Sequence, residues 1–149
     1  MSKLGGLDEE LIQDVEEEKV TEIAVERPKR RPFHYWKVGD REYKLKLTTS
    51  MIEKLENKYR TNIINLVGRD DLPPLTVMIT IVQAAMSPWE HNMSYSDVKK
   101  VYDAWFERGG NQVDFFTEVV MPTLAVSGFF TDKQAASMME NLKEMDGLL

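Results

Sequence analysis

YKLKLTTSMIEKLENKYRTNIINLVGRDDLPPLTVMITIVQAAM, residues Tyr43 to Met86, joins a period-two strand to a capped amphipathic helix and, through a stiff proline turn, to an apolar helix. Tyr43, Leu45 and Leu47 point to one side of an extended chain, while Glu42, Lys44 and Lys46 point to the other, so one face is buried and one is wet. Thr48, Thr49 and Ser50 end the strand with hydroxyl groups. Ser50 and Glu53 have the Ser-x-x-Glu spacing of a capping box. The helix that follows is expected to reach about Arg60, with Ile52, Leu55 and Tyr59 on one face, and to continue over 62–67 toward Gly68, a good terminator. Asp70, Asp71, Leu72, Pro73 and Pro74 form a stiff turn, and Pro74 suits the first turn of a new helix because its missing N–H would have no partner there. From Leu75 to Met86 apolar residues lie nearly all round the helix, which places it at the centre of a core or of an interface.

Upstream, residues 33–38 are rich in aromatic and β-branched residues, and Gly39-Asp40 before Arg41 fits a type II′ hairpin turn. An isolated hairpin is barely stable, so its apolar face must lie on helices or on another chain. Downstream, Ser94 and Asp97 suggest a second capping box. Val98, Val101, Tyr102, Trp105 and Phe106 then recur at helical spacing up to Gly109-Gly110. A helix over 112–126 carries Val113, Phe116, Val119, Val120 and Leu124, with Pro122 expected to kink it. Thr131 and Gln134 start a last helix, to about Met145. The expected fold is mainly α: an N-terminal β-hairpin followed by a bundle of about five helices, an α+β class dominated by helix.

Charge divides the chain. Up to Arg27 nine acidic residues face only Lys3, Lys19 and Arg27, so this arm carries the net charge of −6 and the remainder is balanced. Residues 1–32 therefore read as an acidic, solvated arm and a Pro28-Lys29-Arg30-Arg31-Pro32 linker, and residues 33–149 as one domain. The alternative for the arm is a segment that orders on a basic or apolar partner. A balanced body has no general attraction for nucleic-acid phosphates, so neither DNA nor RNA is expected as a partner. The start has no signal-peptide apolar region, and no apolar run approaches the ~18 residues of a membrane helix.

Catalytic chemistry finds little support. The absence of cysteine excludes thiolate zinc sites and cysteine nucleophiles. His34 and His91 have no metal-ligand spacing, and Asp70-Asp71 supplies fewer oxygens than a hard cation needs. There is no GxSxG, P-loop or GxGxxG, so the chain is expected to be no enzyme and to need neither metal nor cofactor.

Apolar side chains offer the remaining candidates. Phe115-Phe116 and Phe129-Phe130 are adjacent pairs, and helical neighbours point about 100° apart, so one of each pair is expected to be partly exposed. Nine methionines add flexible apolar groups suited to varied partners. Met78, Val82, Met86, Phe115, Phe129, Phe130, Met138 and Met139 are thus the candidate partner-binding residues, against a default of core packing for each.

Tyr43-Lys-Leu-Lys-Leu-Thr-Thr, the Ile52-Glu53-Lys54-Leu55-Glu56 helix, Leu72-Pro73-Pro74-Leu75 with its apolar helix, and Ser127-Gly128-Phe129-Phe130 together resemble the tail assembly chaperones of long-tailed phages (siphoviruses) and prophages of Gram-positive bacteria. Each piece is common alone, and their order and spacing carry the likeness, which leaves out the acidic arm and its linker. The resemblance implies a non-enzymatic helical protein of the host cytoplasm, not retained in the mature virion. It would bind the hydrophobic tape measure protein and keep it soluble until the tail tube polymerises around it. A longer form made by ribosomal frameshifting would recruit the tail tube protein. The alternative is a structural virion protein such as a head-to-tail adaptor or tail completion protein. The edge hairpin and surplus apolar residues leave a homo-oligomer open.

Overall fold

The computed structural model describes residues 31–137. The chain divides after Arg30, and the described residues belong to the compact unit that begins at Arg31. Strands β1 (His34–Val38) and β2 (Arg41–Leu45) form an antiparallel hairpin. Helices α1 (Thr49–Tyr59), α2 (Ile63–Val67), α3 (Leu75–Met86) and α4 (Tyr95–Glu107) follow. A helical run over 112–126, here α5, is α at Gln112–Asp114, π at Phe115–Val120 and α again at Met121–Val126. A further helix begins at 132 and continues to the limit of the described residues. The helix-dominated α+β class read from the sequence is the fold observed.

The hairpin turn is as expected. Val38 pairs with Arg41 across Gly39 and Asp40, Gly39 has φ +63°, and Asp40 has no positive φ, the pattern of a type II′ turn. Trp36, Val38, Tyr43, Leu45 and Leu47 face the core. The strands are shorter than the 33–38 and 41–47 expected because the chain beyond Leu45 bonds elsewhere. Lys44 N–H donates to the Glu90 carboxylate (3.1 Å), Lys46 N–H to the Ala85 carbonyl (3.0 Å), and Trp89 Nε1–H to the Lys46 carbonyl (3.0 Å). Leu47 N–H donates to Ser127 Oγ (2.9 Å), which donates onward to the Thr123 carbonyl (2.7 Å). The outer edge of β2 is thereby closed, as a sheet edge must be if it is not to pair with another chain.

Two local expectations need correction. The first helix is capped by Thr48, whose hydroxyl accepts from Met51 N–H (3.2 Å), so the Ser50–Glu53 pair lies inside the helix and is not its cap. That helix also does not run on through 62–67. Arg60 adopts a left-handed conformation (φ 58°), and Asn62 caps a separate α2 by accepting from Asn65 N–H. Pro122 lies near the start of the last α segment of α5, directly after the π segment. Lacking an N–H, it cannot donate to the Glu118 carbonyl one turn earlier, and the turns before it widen into π geometry. The Ser94–Asp97 and Thr131–Gln134 boxes both form with reciprocal hydrogen bonds.

Helix α3 is the centre of the molecule. It packs against β2, α1, α4 and the π segment of α5, which is why apolar residues surround it. Beside it lies an aromatic cluster of Trp36, Tyr43, Tyr102, Trp105 and Phe115, with ring centroids 4.9–6.2 Å apart in tilted and edge-to-face arrangements. The Trp36 indole N–H is buried without a hydrogen-bond partner among the described residues, a cost of about 1–3 kcal/mol that the packing of its ring must offset.

Candidate partner-binding surface

Core formation takes up half of the residues named above as partner-binding candidates. Met78, Val82, Met86 and Phe115 are all 0% exposed, so they are corrected from surface candidates to core residues. The physical reason is the central position of α3, whose Met78, Ile79, Ile81, Val82, Ala85 and Met86 are covered by the hairpin and helices of its own chain, while Thr76 remains exposed. In the pair Phe115-Phe116, Phe115 points inward and Phe116 is half-buried. Phe129 and Phe130 are both half-buried and pack against the core from the side. Met138 and Met139 lie outside the described residues.

The exposed apolar groups are different ones: Ile64, Leu72, Trp89, Tyr35, Phe106 and Val113. Two of them, Ile64 and Leu72, are each 38% exposed, and Ile64 borders an open groove. The groove exists because the chain breaks at Arg60. The left-handed residue turns the backbone, Asn62 starts a helix of only five residues, and Gly68 ends it with its N–H on the Ile64 carbonyl (2.7 Å). With one turn and a half available, α2 buries Ile63 and Val67 and leaves Ile64 facing outward.

Tyr59, Thr61, Ile64, Asn65, Leu66 and Arg69 line the groove, whose volume is about 500 Å³. The Arg69 guanidinium is held near its rim by a bond from Nε to the Asn65 carbonyl (3.3 Å). The lining is mixed: Tyr59, Ile64 and Leu66 supply apolar surface, and Thr61, Asn65 and Arg69 a hydroxyl, an amide and a cation. It can hold an apolar side chain row with a polar border, the form of an amphipathic helix.

The titratable groups show no concerted arrangement. His34 reaches the core side of the hairpin and donates from Nε2 to the Glu118 carbonyl (2.8 Å). Burial pushes its pKa below the ordinary 6.5, an effect the carbonyl bond opposes and the Arg31 charge reinforces. His91, Asp70 and Asp71 are exposed. Among the described residues no group of three or more metal-ligating side chains occurs, and no helix is long and apolar enough to cross a membrane.

Comparison with protein families matches residues 31–148 to a family of unknown function, DUF6096. The chain belongs to that family. The match starts where the compact unit starts, so the acidic arm lies outside it. No curated protein and no solved structure matches the chain.

Sequence reasoning passed over Ile64 although the signal was present. Ile63-Ile64 is an adjacent apolar pair on a helix, and the 100° argument applied to the phenylalanine pairs applies equally to it. What hid it was the expectation of one long helix, on which 62–67 merely continued the buried stripe.

Proposed function

We propose that this member of the DUF6096 family is a tail assembly chaperone of a siphovirus or prophage, acting in the host cytoplasm on the tape measure protein. The observation that carries the reading is the groove at α2, where Ile64 stands exposed beside Tyr59 and Leu66, with Leu72 exposed three residues beyond the last lining residue, Arg69. A tape measure protein is a long apolar helical chain. One stripe of such a helix laid on Ile64, Leu66 and Tyr59 would be withdrawn from water, with Arg69 and Asn65 meeting its polar border. So small an apolar surface yields little free energy beyond the losses of association, so single contacts are weak and release is easy. Weak, repeated contacts suit a protein that must be displaced as tail tube subunits assemble. A longer, frameshifted form would bring the tail tube protein to the same place.

The resemblance over Tyr43 to Phe130 supports the same reading through the order of its motifs. Co-expression tests it. The tape measure protein encoded beside this chain is expected to become soluble and to co-purify with it. If the pair stays insoluble and this chain is found in purified particles, the structural alternative of a head-to-tail adaptor or tail completion protein takes its place.

A further inference from the structure

The two edges of the hairpin are treated differently. Across a two-residue turn the flanking pair, Val38 and Arg41, exchanges hydrogen bonds, and bonded pairs then alternate along the ladder. The N–H and C=O groups of Tyr35, Lys37, Glu42 and Lys44 consequently point away from the partner strand. On β2 the outward positions 44 and 46 are closed by Glu90, Ala85 and Trp89, as described above. On β1 no described residue bonds to the outward backbone groups of Tyr35 or Lys37. Both residues are exposed, Tyr35 to 46%.

The solvent face beside this edge is cationic and aromatic. Among the described residues of the hairpin, Lys37, Lys44 and Lys46 share it with Glu42, which stands opposite Lys37, while the Glu90 carboxylate is held at the far edge by Lys44 N–H (3.1 Å). Lys44 Nζ and Lys46 Nζ lie 4.6 and 5.6 Å from the centroid of the Phe33 ring, which meets Trp89 edge-on at 5.0 Å. Lysines on an open edge discourage indiscriminate pairing. They also select a partner of opposite sign.

We propose that the edge of β1, to which no described residue bonds, accepts an extended acidic peptide segment of a partner protein as a third strand. Tyr35 and Lys37 would supply its main-chain hydrogen bonds, and Lys37, Lys44 and Lys46 would meet its carboxylates. A third strand would lie about 4.8 Å from β1 and roughly 10 Å from β2, so the β2 lysines act within one screening length. The charge disfavours a second copy of this chain, because edge-to-edge pairing of two hairpins would bring their lysines together. The edge favours a peptide over a nucleic acid, because amide donors and acceptors at strand spacing match another polypeptide backbone. This surface is distinct from the α2 groove, and the inference does not depend on it.

Binding of a labelled peptide of about eight residues that alternates Glu with Val, a usual strand length, tests the inference on the full chain. The peptide is expected to bind, and hydrogen exchange at the Tyr35 and Lys37 amides is expected to slow. Lys37→Glu should weaken binding about tenfold, and raised salt should do the same. An N-methylated analogue, which keeps the carboxylates but has no backbone donors, should lose a similar factor, whereas Ile64→Asp should change nothing. The inference is overturned if the analogue binds as well as the parent, if no peptide binds, or if a single-stranded oligonucleotide binds in its stead. It is also overturned if the same two amides are protected by dimers of the chain alone.

Discussion

His34 Nε2 donates a 2.8 Å hydrogen bond to the backbone carbonyl of Glu118, and Glu118 stands four residues before Pro122. In an α-helix that carbonyl would accept from the N–H of residue 122, which proline lacks. The imidazole therefore ties β1 to α5 at the point where the helix changes register. Replacing His34 with Ala is expected to lower stability by about 1 kcal/mol in urea titrations, the usual net worth of such a bond.

Burial of the same ring sets a pH dependence. Burial holds the His34 pKa below 6.5, so the folded protein prefers the neutral ring. The unfolded chain takes up the proton first as pH falls, and stability follows the difference in bound protons. The contribution is complete above pH 6.5 and is lost as pH drops through the folded pKa. His34→Ala should flatten that part of the stability profile, and an unchanged slope would contradict the assignment.

Gly110 sits against Trp105. A Cβ there would lie 2.4 Å from the indole carbons Cδ2 and Cε3, too close for any rotamer adjustment short of moving the ring. Gly110→Ala is expected to cost about 1–3 kcal/mol as overpacking, read as a lower thermal midpoint together with altered tryptophan emission. Gly39→Ala meets two obstacles, φ +63° and the Arg108 guanidinium at 2.8 Å. The guanidinium can swing away, so only the backbone term of roughly 1–2 kcal/mol should remain.

Phe115 and Val113 lie two positions apart on α5 with opposite fates, 0% and 50% exposed. Phe115→Ala should destabilise by about 3–5 kcal/mol because it empties the aromatic cluster beneath α3. Val113→Ala should stay within roughly 0.5 kcal/mol. Equal effects in chemical denaturation would show that the cluster is not the core.

The Ser94–Asp97 box is open to a direct spectroscopic check. Ser94 donates to the Asp97 carboxylate from its backbone N–H (3.0 Å) and its hydroxyl (2.9 Å), and these bonds hold the Asp97 pKa below its usual range. Ser94→Ala should cost about 1 kcal/mol as a lost N-cap. In an NMR titration the Asp97 carboxyl should move up toward the ordinary carboxylate value, though not fully, because the backbone bond remains.

Much of the fold could be read from residue order because the signals were local. The Gly39-Asp40 turn, the alternation of Tyr43, Leu45 and Leu47, the Ser94–Asp97 box and the all-round apolarity of α3 each depend on a few neighbouring side chains. The break at Arg60 was not legible. A left-handed arginine carries no compositional mark, and a helix reading that ignores it extends the stripe and conceals Ile64. The π segment was equally hidden, since Pro122 reports a lost donor but not how the preceding turns rearrange. Among the candidate site residues, apolarity alone could not separate core from surface. Met78, Val82, Met86 and Phe115 are buried because four elements converge on α3, a long-range fact no local pattern contains.

The central claim, that the α2 groove holds an apolar helical partner, is tested most directly by co-purification from cells making the proposed partner, a tape measure protein, with either the native chain or an Ile64→Asp, Leu72→Asp double variant. Both positions are exposed, so the variant is expected to fold with a thermal midpoint close to that of the native chain. The native chain should bring the tape measure protein into the soluble fraction, and the double variant should lose most of it, since a charge placed in an apolar contact costs on the order of 2 kcal/mol or more at each site. Equal recovery of soluble tape measure protein by the folded variant would contradict the claim.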